Sequence, residues 1–332
     1  MRHTGQEYIA GVLAGNRRMV AKAITLVESS RAEDRLLARE VLAGLMPHTG
    51  GALRVGISGP PGAGKSTFIE VFGLYLIEQG LRVGVLAVDP SSRRSGGSIL
   101  GDKTRMARLT GSRQAFIRPS PAGESLGGVA RCTRESQLIL EAAGYEIILI
   151  ETVGVGQSET LVAGMVDLFV LMALPNAGDE LQGMKRGIME LADLVLVNKS
   201  DGAFVDAAQR TAGGIESALR LLHGGSVGWD PEVMTISAAE GRGLAEVWSL
   251  FSRFREGMTA SGALAYKRQE QARAWMWDLV RDGLTQRFMA HVQVKDILQG
   301  LELRVVAGEV TAVVAAELLL DRFTDGGGAD GL

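Results

Sequence analysis

A glycine-rich segment that ends in a lysine and a hydroxyl side chain is the part of this 332-residue chain best suited to chemistry. It forms a complete G-x-x-x-x-G-K-[ST] motif, which Thr67 extends: Gly59, Pro60, Pro61, Gly62, Ala63, Gly64, Lys65 and Ser66. Such glycines let successive backbone N–H groups turn towards an anion, and the N-terminus of the following helix adds its dipole. We expect Lys65 to contact the β- and γ-phosphates of a nucleotide and Ser66 to ligate Mg²⁺. The motif predicts that all of these residues bind a nucleoside triphosphate.

The sequence on either side of the motif agrees with this prediction. An apolar run at 53–58 precedes it and an apolar-periodic segment at 67–72 follows it. This is the strand–loop–helix setting that gives the motif its meaning. The alternative is a glycine-rich turn with a surface lysine, which the flanking pattern disfavours.

A second motif, N-K-x-D, indicates which base the nucleotide carries. Asn198, Lys199 and Asp201 follow the apolar run 194–197, at the carboxyl end of a predicted strand, where ligands of open α/β sheets bind. Guanine offers two donors, N1–H and its exocyclic amine, whereas adenine has an acceptor at N1. Asp201 can therefore form a bidentate, charge-assisted pair with guanine only. Alone, the motif could be an ordinary turn; after a phosphate-binding loop it predicts guanine specificity.

Neighbouring positions complete the predicted base site. We expect Asn198 to tie the base-binding loop to the phosphate-binding loop, and the stem of Lys199 to cover the face of the ring. A loop whose backbone N–H groups would bind the guanine oxygen follows the strand predicted at 233–236 and comprises Ser237, Ala238 and Ala239.

A third segment resembles the second magnesium motif of nucleotide hydrolases. The apolar run 147–150 ends in Glu151, three residues before Gly154, with Glu in place of the usual Asp. We expect the longer side chain to reach Mg²⁺ through a water, while the Gly154 N–H meets the γ-phosphate. The alternative is a strand-end glutamate that caps the next turn.

Two aspartates lie near the same predicted edge of the sheet. Asp89 ends the run 83–88, and Asp102 lies in the polar loop 90–102, which is rich in Ser, Arg and Gly. Such a loop is suited to ordering around Mg²⁺ and the γ-phosphate, which favours a switch over a merely solvated basic face. In Ras-type GTPases a water-orienting Gln follows the glycine of the magnesium motif, and here that residue is Val155. The sequence predicts slow intrinsic hydrolysis that a partner could accelerate.

Composition excludes several other classes of protein. The net charge of −3 gives no electrostatic argument for nucleic acid or an anionic membrane as the main partner. One cysteine, Cys132, excludes an internal disulfide and a multi-cysteine metal site. The first residues have no apolar signal region, and the apolar run 166–174 is too short to span a bilayer. We expect a cytoplasmic protein that binds neither membranes nor nucleic acid.

The chain alternates short apolar runs with helical ones, which predicts an α/β P-loop NTPase fold with a doubly wound, mainly parallel sheet. The predicted strands are 53–58, 82–88, 115–118, 146–150, 166–173, 194–197 and 233–236. We expect an N-terminal helical extension at 1–50, a GTPase domain at 51–257 and a C-terminal helical arm at 258–332. The arm is predicted to hold helices at 266–289 and 309–323 and a disordered tail. A capping box is predicted at Ser30–Glu33.

Three longer segments carry a resemblance to the MeaB/ArgK/MMAA family of GTPases, essentially from end to end. They are V-D-P-S-S at 88–92 with G-G-S-I-L-G-D-K-T-R-M at 96–106, E-T-V-G-V-G-Q-S-E at 151–159, and G-D-E-L-Q-G-M-K-R-G-I at 178–188. The resemblance implies Mg²⁺ and switch roles for Ser66, Asp89, Asp102 and Glu151, and these acidic residues are predicted to be catalytic together with Lys65. It also implies a third, partner-signalling switch that contains Asp179, Glu180 and Lys185.

The resemblance further implies cofactors and partners. Proteins of this family bind GTP or GDP with Mg²⁺ and chaperone adenosylcobalamin-dependent acyl-CoA mutases, chiefly methylmalonyl-CoA mutase. They gate cofactor delivery from an adenosyltransferase and promote release of damaged cobalamin. They have a G domain between an N-terminal helical extension and a C-terminal dimerisation arm, so a homodimer is expected.

Other hypotheses remain open. A P-loop small-molecule kinase would need a phosphoacceptor pocket and normally an adenine site. A nickel-insertion GTPase would need Cys or His ligands, and the chain has four histidines and one cysteine. A DNA-partitioning ATPase would lack N-K-x-D and show a basic face.

Overall fold

The computed structural model describes residues 3–88, 106–119, 126–152, 158–175, 186–222 and 228–325. Six predicted site residues lie outside these ranges: Asp89, Asp102, Gly154, Asp179, Glu180 and Lys185. The segment predicted to be a disordered tail also lies outside them from residue 326 onwards.

Seven parallel strands form one sheet in the order β3-β2-β4-β1-β5-β6-β7. Their bounds are Leu53–Ser58 (β1), Val83–Val88 (β2), Ala115–Arg118 (β3), Ile147–Thr152 (β4), Leu168–Ala173 (β5), Leu194–Val197 (β6) and Glu232–Thr235 (β7). Each strand pair is parallel, so the carboxyl ends of all seven strands meet at one edge. The predicted α/β fold is confirmed, and the strand bounds differ from the predicted ones by two residues or fewer.

Helices cover the sheet because its central strands are apolar on both faces. The helices that precede β5 are Gly5–Leu13 (α1), Arg17–Val27 (α2), Ala32–Leu45 (α3), Lys65–Glu78 (α4), Ala107–Gly111 (α5), Leu126–Ala142 (α6) and Ser158–Ala163 (α7). The later ones are Arg186–Met189 (α8), Val205–Leu222 (α9), Leu244–Ala260 (α10), Ala263–Ala290 (α11), Val292–Val306 (α12) and Ala312–Asp325 (α13). Short 3₁₀ turns lie at Met46–His48 and Gly202–Phe204.

Side-chain alternation divides the core between the two faces of the sheet. On one face, odd-numbered residues of β1 and β4 pack with α4 and α10 through Val55, Ile57, Leu149, Phe68, Phe72 and Phe251. On the other face, even-numbered residues of β4 pack with α2, α6 and α7 through Ile148, Ile150, Ile24, Leu140 and Val162. Consecutive residues at the end of a strand therefore point to opposite sides of the sheet.

The predicted capping box at Ser30–Glu33 is wrong. Helix α3 begins after Arg31, whose side chain makes no capping hydrogen bond. Ser29 Oγ instead donates to Asp34 Oδ2 at 2.7 Å, so the serine one position earlier supplies the local contact. A capping box does form at α1, where Thr4 and Glu7 satisfy each other's backbone N–H groups.

The chain divides into two compact units, Met1–Gln269 and Glu270–Leu332. The three-part division at residues 50 and 257 stays a prediction about domains. In the second unit the helix α12 was not predicted, although the predicted end of the preceding helix at residue 289 lies one residue from the observed end of α11 at Ala290. Phe323 of α13 packs edge-on against both Phe288 and His291, with ring centroids 5.5 and 5.4 Å apart.

Candidate nucleotide-binding site

The phosphate-binding loop follows β1 in a conformation that requires glycine at two positions. Gly59 has a φ of 146°, and a Cβ there would lie 2.4 Å from the carbonyl oxygen of Met172 on β5. Gly64 caps the N-terminus of α4 with a φ of 86°, and a Cβ there would lie 2.4 Å from Asn198 Nδ2. A side chain at either position would clash or strain the backbone, so the loop can lie against β5 and the base-binding loop only with glycine.

Lys65 is the first residue of α4 and is 8% exposed. Its Nζ donates to the carbonyl oxygens of Gly59 at 2.7 Å and Pro60 at 3.1 Å. Burial lowers the pKa of Lys65 below the value of an ordinary lysine, and the charges of Glu151 and Glu159 offset part of that shift. The ammonium group is thus held inside its own loop by dipoles and by two carboxylates, which a phosphate group can complement or replace.

Ser66 and Glu151 meet across the face of the sheet that carries α4. Ser66 Oγ donates to Glu151 Oε1 at 2.8 Å. A hydroxyl and a carboxylate are the hard oxygen donors that Mg²⁺ prefers, and neighbouring ligands of an octahedral Mg²⁺ lie about 2.9 Å apart. The chemistry and spacing of these two groups therefore fit a magnesium site. Among the residues that the structure describes, no three His, Cys, Asp or Glu side chains are grouped so as to hold a metal ion.

Asn198 joins the phosphate-binding loop to both base-binding segments. Its Nδ2 donates to the carbonyl oxygen of Ala63 at 2.8 Å, and its Oδ1 accepts from the backbone N–H of Ala238 at 3.0 Å. The side chain is buried at the end of β6, with 3% of its surface exposed. One amide thus fixes the relative positions of three loops that come from distant parts of the chain.

Asp201 faces the loop that follows β7. Its carboxylate accepts a hydrogen bond from Ser237 Oγ, and the same hydroxyl accepts from the backbone N–H of Glu240 at 3.3 Å. Ser237 is fully buried and also pairs with Arg242 through two backbone hydrogen bonds. These contacts orient the carboxylate before any base arrives.

Lys199 has a φ of 60°, and it is the non-glycine residue with a left-handed backbone among the described residues. A lysine in that conformation costs free energy, and such outliers persist where the surroundings hold them in place. Its side chain and that of Ala239 are exposed, as expected for groups that would face a base. Thr67, Pro61 and Gly62 are also exposed, at the outer side of the phosphate-binding loop.

The structure brings together three groups of predicted residues at one edge of the sheet: the phosphate-binding loop, Glu151, and the two base-binding segments around Asn198 and Ser237. The roles of these residues in binding stay predictions, as do those of the six that lie outside the described ranges.

Three buried polar residues near this edge were not predicted. Glu159, in the first turn of α7, is 1% exposed and acts electrostatically on Lys65. Ser58 and Thr152, the last residues of β1 and β4, share a hydrogen bond. The only signal for Glu159 and Thr152 was their place in the segment 151–159, and Ser58 gives no sequence signal of its own.

No helix in the described ranges is long and apolar enough to cross a membrane.

Comparisons with known proteins agree on one family. The family model described as methylmalonyl Co-A mutase-associated GTPase MeaB matches residues 20–293. The mouse protein named methylmalonic aciduria type A homolog, mitochondrial, is 50% identical over 94% of this chain and 78% of its own length. The GTPase ArgK of Escherichia coli K12 is 48% identical over 81% of this chain and 82% of its own length.

A solved structure resembles the whole chain. The crystal structure of a protein described as LAO/AO transport system kinase is 37% identical, covers 96% of both chains and superposes with a TM-score of 0.77. Together with the phosphate-binding loop and the N-K-x-D segment at one edge of a parallel sheet, these matches identify the chain as a member of the MeaB family of GTPases.

Proposed function

We propose that this protein binds GTP with Mg²⁺ and hydrolyses it to GDP and phosphate. The observation that carries the proposal is the pair of hydrogen bonds through which Asn198 holds the phosphate-binding loop and the loop at Ala238 together. This arrangement would bring a phosphate site and a base site within the reach of one nucleotide. Membership of a GTPase family supports the same activity.

Guanine specificity would come from Asp201. Its carboxylate is already oriented by the Ser237 hydroxyl and keeps acceptor capacity for two guanine donors. Backbone N–H groups of Ala238 and Ala239 would bind the guanine oxygen, and the Lys199 stem would cover the ring. A base that reverses these donors and acceptors leaves the carboxylate unpaired, which is how the site would reject adenine.

Magnesium would be held by Ser66, Glu151, Asp89 and Asp102, either directly or through water. When bound, Mg²⁺ neutralises the charge that develops on the β- and γ-phosphate oxygens. Ser66 would then exchange its hydrogen bond to Glu151 for the ion, and Lys65 would exchange the carbonyls of Gly59 and Pro60 for phosphate oxygens. With Val155 where Ras-type GTPases have a catalytic glutamine, intrinsic turnover would be slow.

The partner would be methylmalonyl-CoA mutase. Support comes from the family description, mutase-associated GTPase, and from the name of the mouse relative. We propose that the protein gates loading of adenosylcobalamin from an adenosyltransferase into the mutase and protects or reactivates that enzyme. The segment with Asp179, Glu180 and Lys185 would signal between the nucleotide and the mutase.

A homodimer through the C-terminal arm is also proposed. None of the 28 residues of α11 is buried within the single chain. Met276, Val280 and Leu284 recur every four residues on one side of the helix and are 50%, 41% and 52% exposed, and Trp277 beside them is 55% exposed. Apolar surface of this extent is typical of a protein interface, and a second copy of the helix offers a matching face.

Substitutions test the dimer more cleanly than truncation, because a deletion from residue 258 would also remove Arg268, which pairs with the buried Asp167. Val280→Asp together with Leu284→Asp is expected to give monomers by light scattering, with GDP binding retained. Arg273→Ala, an exposed change on the same helix, is the matched control. A native protein that is already monomeric would refute the proposed dimer.

A kinase is the leading alternative, since one related structure bears that description. It would normally place adenine in the base site, which the carboxylate of Asp201 disfavours. A nickel-insertion GTPase is a further alternative, and it would require soft ligands that the four histidines and one cysteine of this chain do not obviously supply.

Turnover of GTP with and without saturating methylmalonyl-CoA mutase tests the proposed function. We expect slow, Mg²⁺-dependent hydrolysis that the mutase stimulates. Lys185→Ala and Asp179→Ala should keep the native affinities for GDP and GTP and lose the stimulation, whereas Arg220→Ala, on the exposed side of α9, should behave as native. No GTP turnover would refute the activity, no stimulation would refute the mutase coupling, and full stimulation of Lys185→Ala would refute the switch.

A further inference from the structure

The last two residues of β4 both contact the phosphate-binding unit, but from opposite faces of the sheet. Glu151 points to the face that carries α4 and accepts from Ser66 at 2.8 Å. Thr152 points to the other face, where its Oγ1 donates to Ser58 Oγ at 3.0 Å. Ser58 directly precedes Gly59, so the end of β4 contacts both the residue before the phosphate-binding loop and the helix that follows the loop.

The contact between Thr152 and Ser58 is fully enclosed. Thr152 is 0% exposed and Ser58 is 1% exposed, so neither hydroxyl can exchange its partner for bulk water. The backbone pairing of β1 with β4 ends at Ile57 and Glu151, and the hydroxyl bridge extends that pairing by one residue. Thr152 is also the register partner of Val88, the last residue of β2, so it lies between two strand ends.

We propose that the Thr152–Ser58 bridge is a positioning pair that fixes the Glu151 carboxylate opposite Ser66 for the Mg²⁺-dependent part of nucleotide binding. The inference rests on the proposed GTP and Mg²⁺ binding and adds two residues that are not among the predicted ligands of the nucleotide or the ion. Glu151 and Thr152 share one peptide bond, so a shift of the β4 end that separates the two hydroxyls also moves the carboxylate. Mg²⁺ demands near-ideal octahedral geometry, which makes its binding sensitive to such a shift.

The Ser66–Glu151 and Thr152–Ser58 hydrogen bonds should respond differently when nucleotide and Mg²⁺ bind. The Ser66–Glu151 bond is the one that the ion would replace, so it cannot hold the strand end in the loaded state. The Thr152–Ser58 bond lies on the other face of the sheet and can persist through the whole cycle. The loaded state therefore depends on the buried bridge more than the empty state does.

Calorimetric titration of GDP at a series of Mg²⁺ concentrations tests this proposal. Thr152→Val keeps the shape of the side chain and removes the donor, and Ser58→Ala removes the acceptor. A buried hydrogen bond of this kind contributes about 1 kcal/mol, so each variant should need roughly fivefold to tenfold more Mg²⁺ for half-maximal binding. GDP affinity without Mg²⁺ should stay within about twofold of native, and Thr152→Ser should restore the native Mg²⁺ requirement. The double variant should be no worse than either single one, since both remove the same bond.

Thr133→Val is the matched control. Thr133 Oγ1 donates at 2.8 Å to the carbonyl oxygen of Val129 inside α6, and the side chain is 5% exposed. The carbonyl of Val129 keeps the helical hydrogen bond from the Thr133 backbone N–H, so loss of the hydroxyl should leave the Mg²⁺ requirement unchanged. If Thr152→Val behaves like this control, the bridge is purely structural and the proposal is wrong.

Two further outcomes can be distinguished from a failure of the positioning role alone. If both Thr152→Val and Ser58→Ala fail to fold, the bridge serves the fold and the positioning role is rejected. If the native protein binds no GDP at any Mg²⁺ concentration, the proposed function is wrong, and the positioning role is wrong with it.

Discussion

The two edges of the same sheet treat charge in opposite ways. At the amino-terminal edge, Asp167 is fully buried and accepts hydrogen bonds from Arg268 Nε at 2.8 Å and Nη2 at 2.7 Å. It also accepts from the backbone N–H of Arg54 at 2.8 Å. At the carboxyl edge, Lys65 donates to backbone carbonyls and Ser66 donates to Glu151. The first edge pairs its charges permanently, and the second keeps them on partners that a ligand can replace.

The pKa shifts at the two edges have opposite directions, which agrees with this difference in pairing. Burial alone lowers the pKa of Arg268, but its hydrogen bonds and charge interaction with Asp167, aided by Glu141, outweigh burial and raise it. Burial also lowers the pKa of Lys65, and there the carboxylates of Glu151 and Glu159 offset only part of the shift. A buried cation with incomplete compensation is poised to accept an anion, whereas a fully paired one contributes to the fold.

Asp167→Ala should have the largest effect on stability. It leaves the Arg268 guanidinium half-enclosed without its carboxylate, and breaking a buried ion pair in this way typically costs about 3–5 kcal/mol. We expect a loss in that range in the free energy of unfolding measured with urea, and unchanged GDP affinity for the molecules that remain folded. Glu216→Ala, which breaks an exposed pair with Arg220, should cost less than about 0.5 kcal/mol. Equal effects of the two variants would contradict the distinction between the edges.

Lys65→Ala should lower GTP turnover and leave the stability of the protein unchanged. Loss of a positioned charge at a phosphoryl-transfer site reduces turnover by about a hundredfold to a thousandfold. Since Lys65 is a buried cation with a lowered pKa, its removal should not lower the free energy of unfolding. Lys267→Ala is the control at the amino edge, where Nζ donates to the carbonyl oxygen of Asp167 at 2.7 Å. That variant should lose stability and keep turnover; the reverse pattern would show that the two edges are not specialised.

The smallest expected effect is a dependence of GDP affinity on pH. An unfolded Lys65 keeps its proton up to about pH 10.5, while the native residue releases it at lower pH. Between these two values the unfolded state binds more protons, so the contribution of Lys65 to stability rises with pH as its phosphate affinity falls. Guanine N1–H also loses its proton in the alkaline range, so GDP affinity should decline in any variant. We expect the decline below pH 10.5 to be steeper in the native protein than in Lys65→Met, which keeps only the part due to the base. Identical pH profiles for both proteins would assign the effect to other groups.

What the sequence predicts well is local or periodic. A few consecutive residues define each of the phosphate-binding loop, the N-K-x-D segment and the buried parallel strands. The observed strand bounds lie within two residues of the predicted ones. The link from Asn198 to Ala63 was also expected, because it follows from the combination of two motifs.

What the sequence does not predict depends on residues far apart in the chain. Arg268 reaches Asp167 across about a hundred residues, and Thr152 reaches Ser58 across a similar separation. Thr152 lies in the segment 151–159, but no motif links it to Ser58 or links Arg268 to Asp167, and each pair is created only when the chain has folded.

Nucleotide selectivity of Asp201→Asn tests the central claim most directly. Calorimetric titration with GDP, ADP and XDP should show that the native protein prefers GDP. Asp201→Asn should bind GDP about tenfold to a hundredfold more weakly, because an amide cannot accept both guanine donors, and should bind XDP better than the native protein does. A native protein that binds ADP as tightly as GDP, or an Asp201→Asn variant with native GDP affinity, would contradict a GTP site at this edge of the sheet.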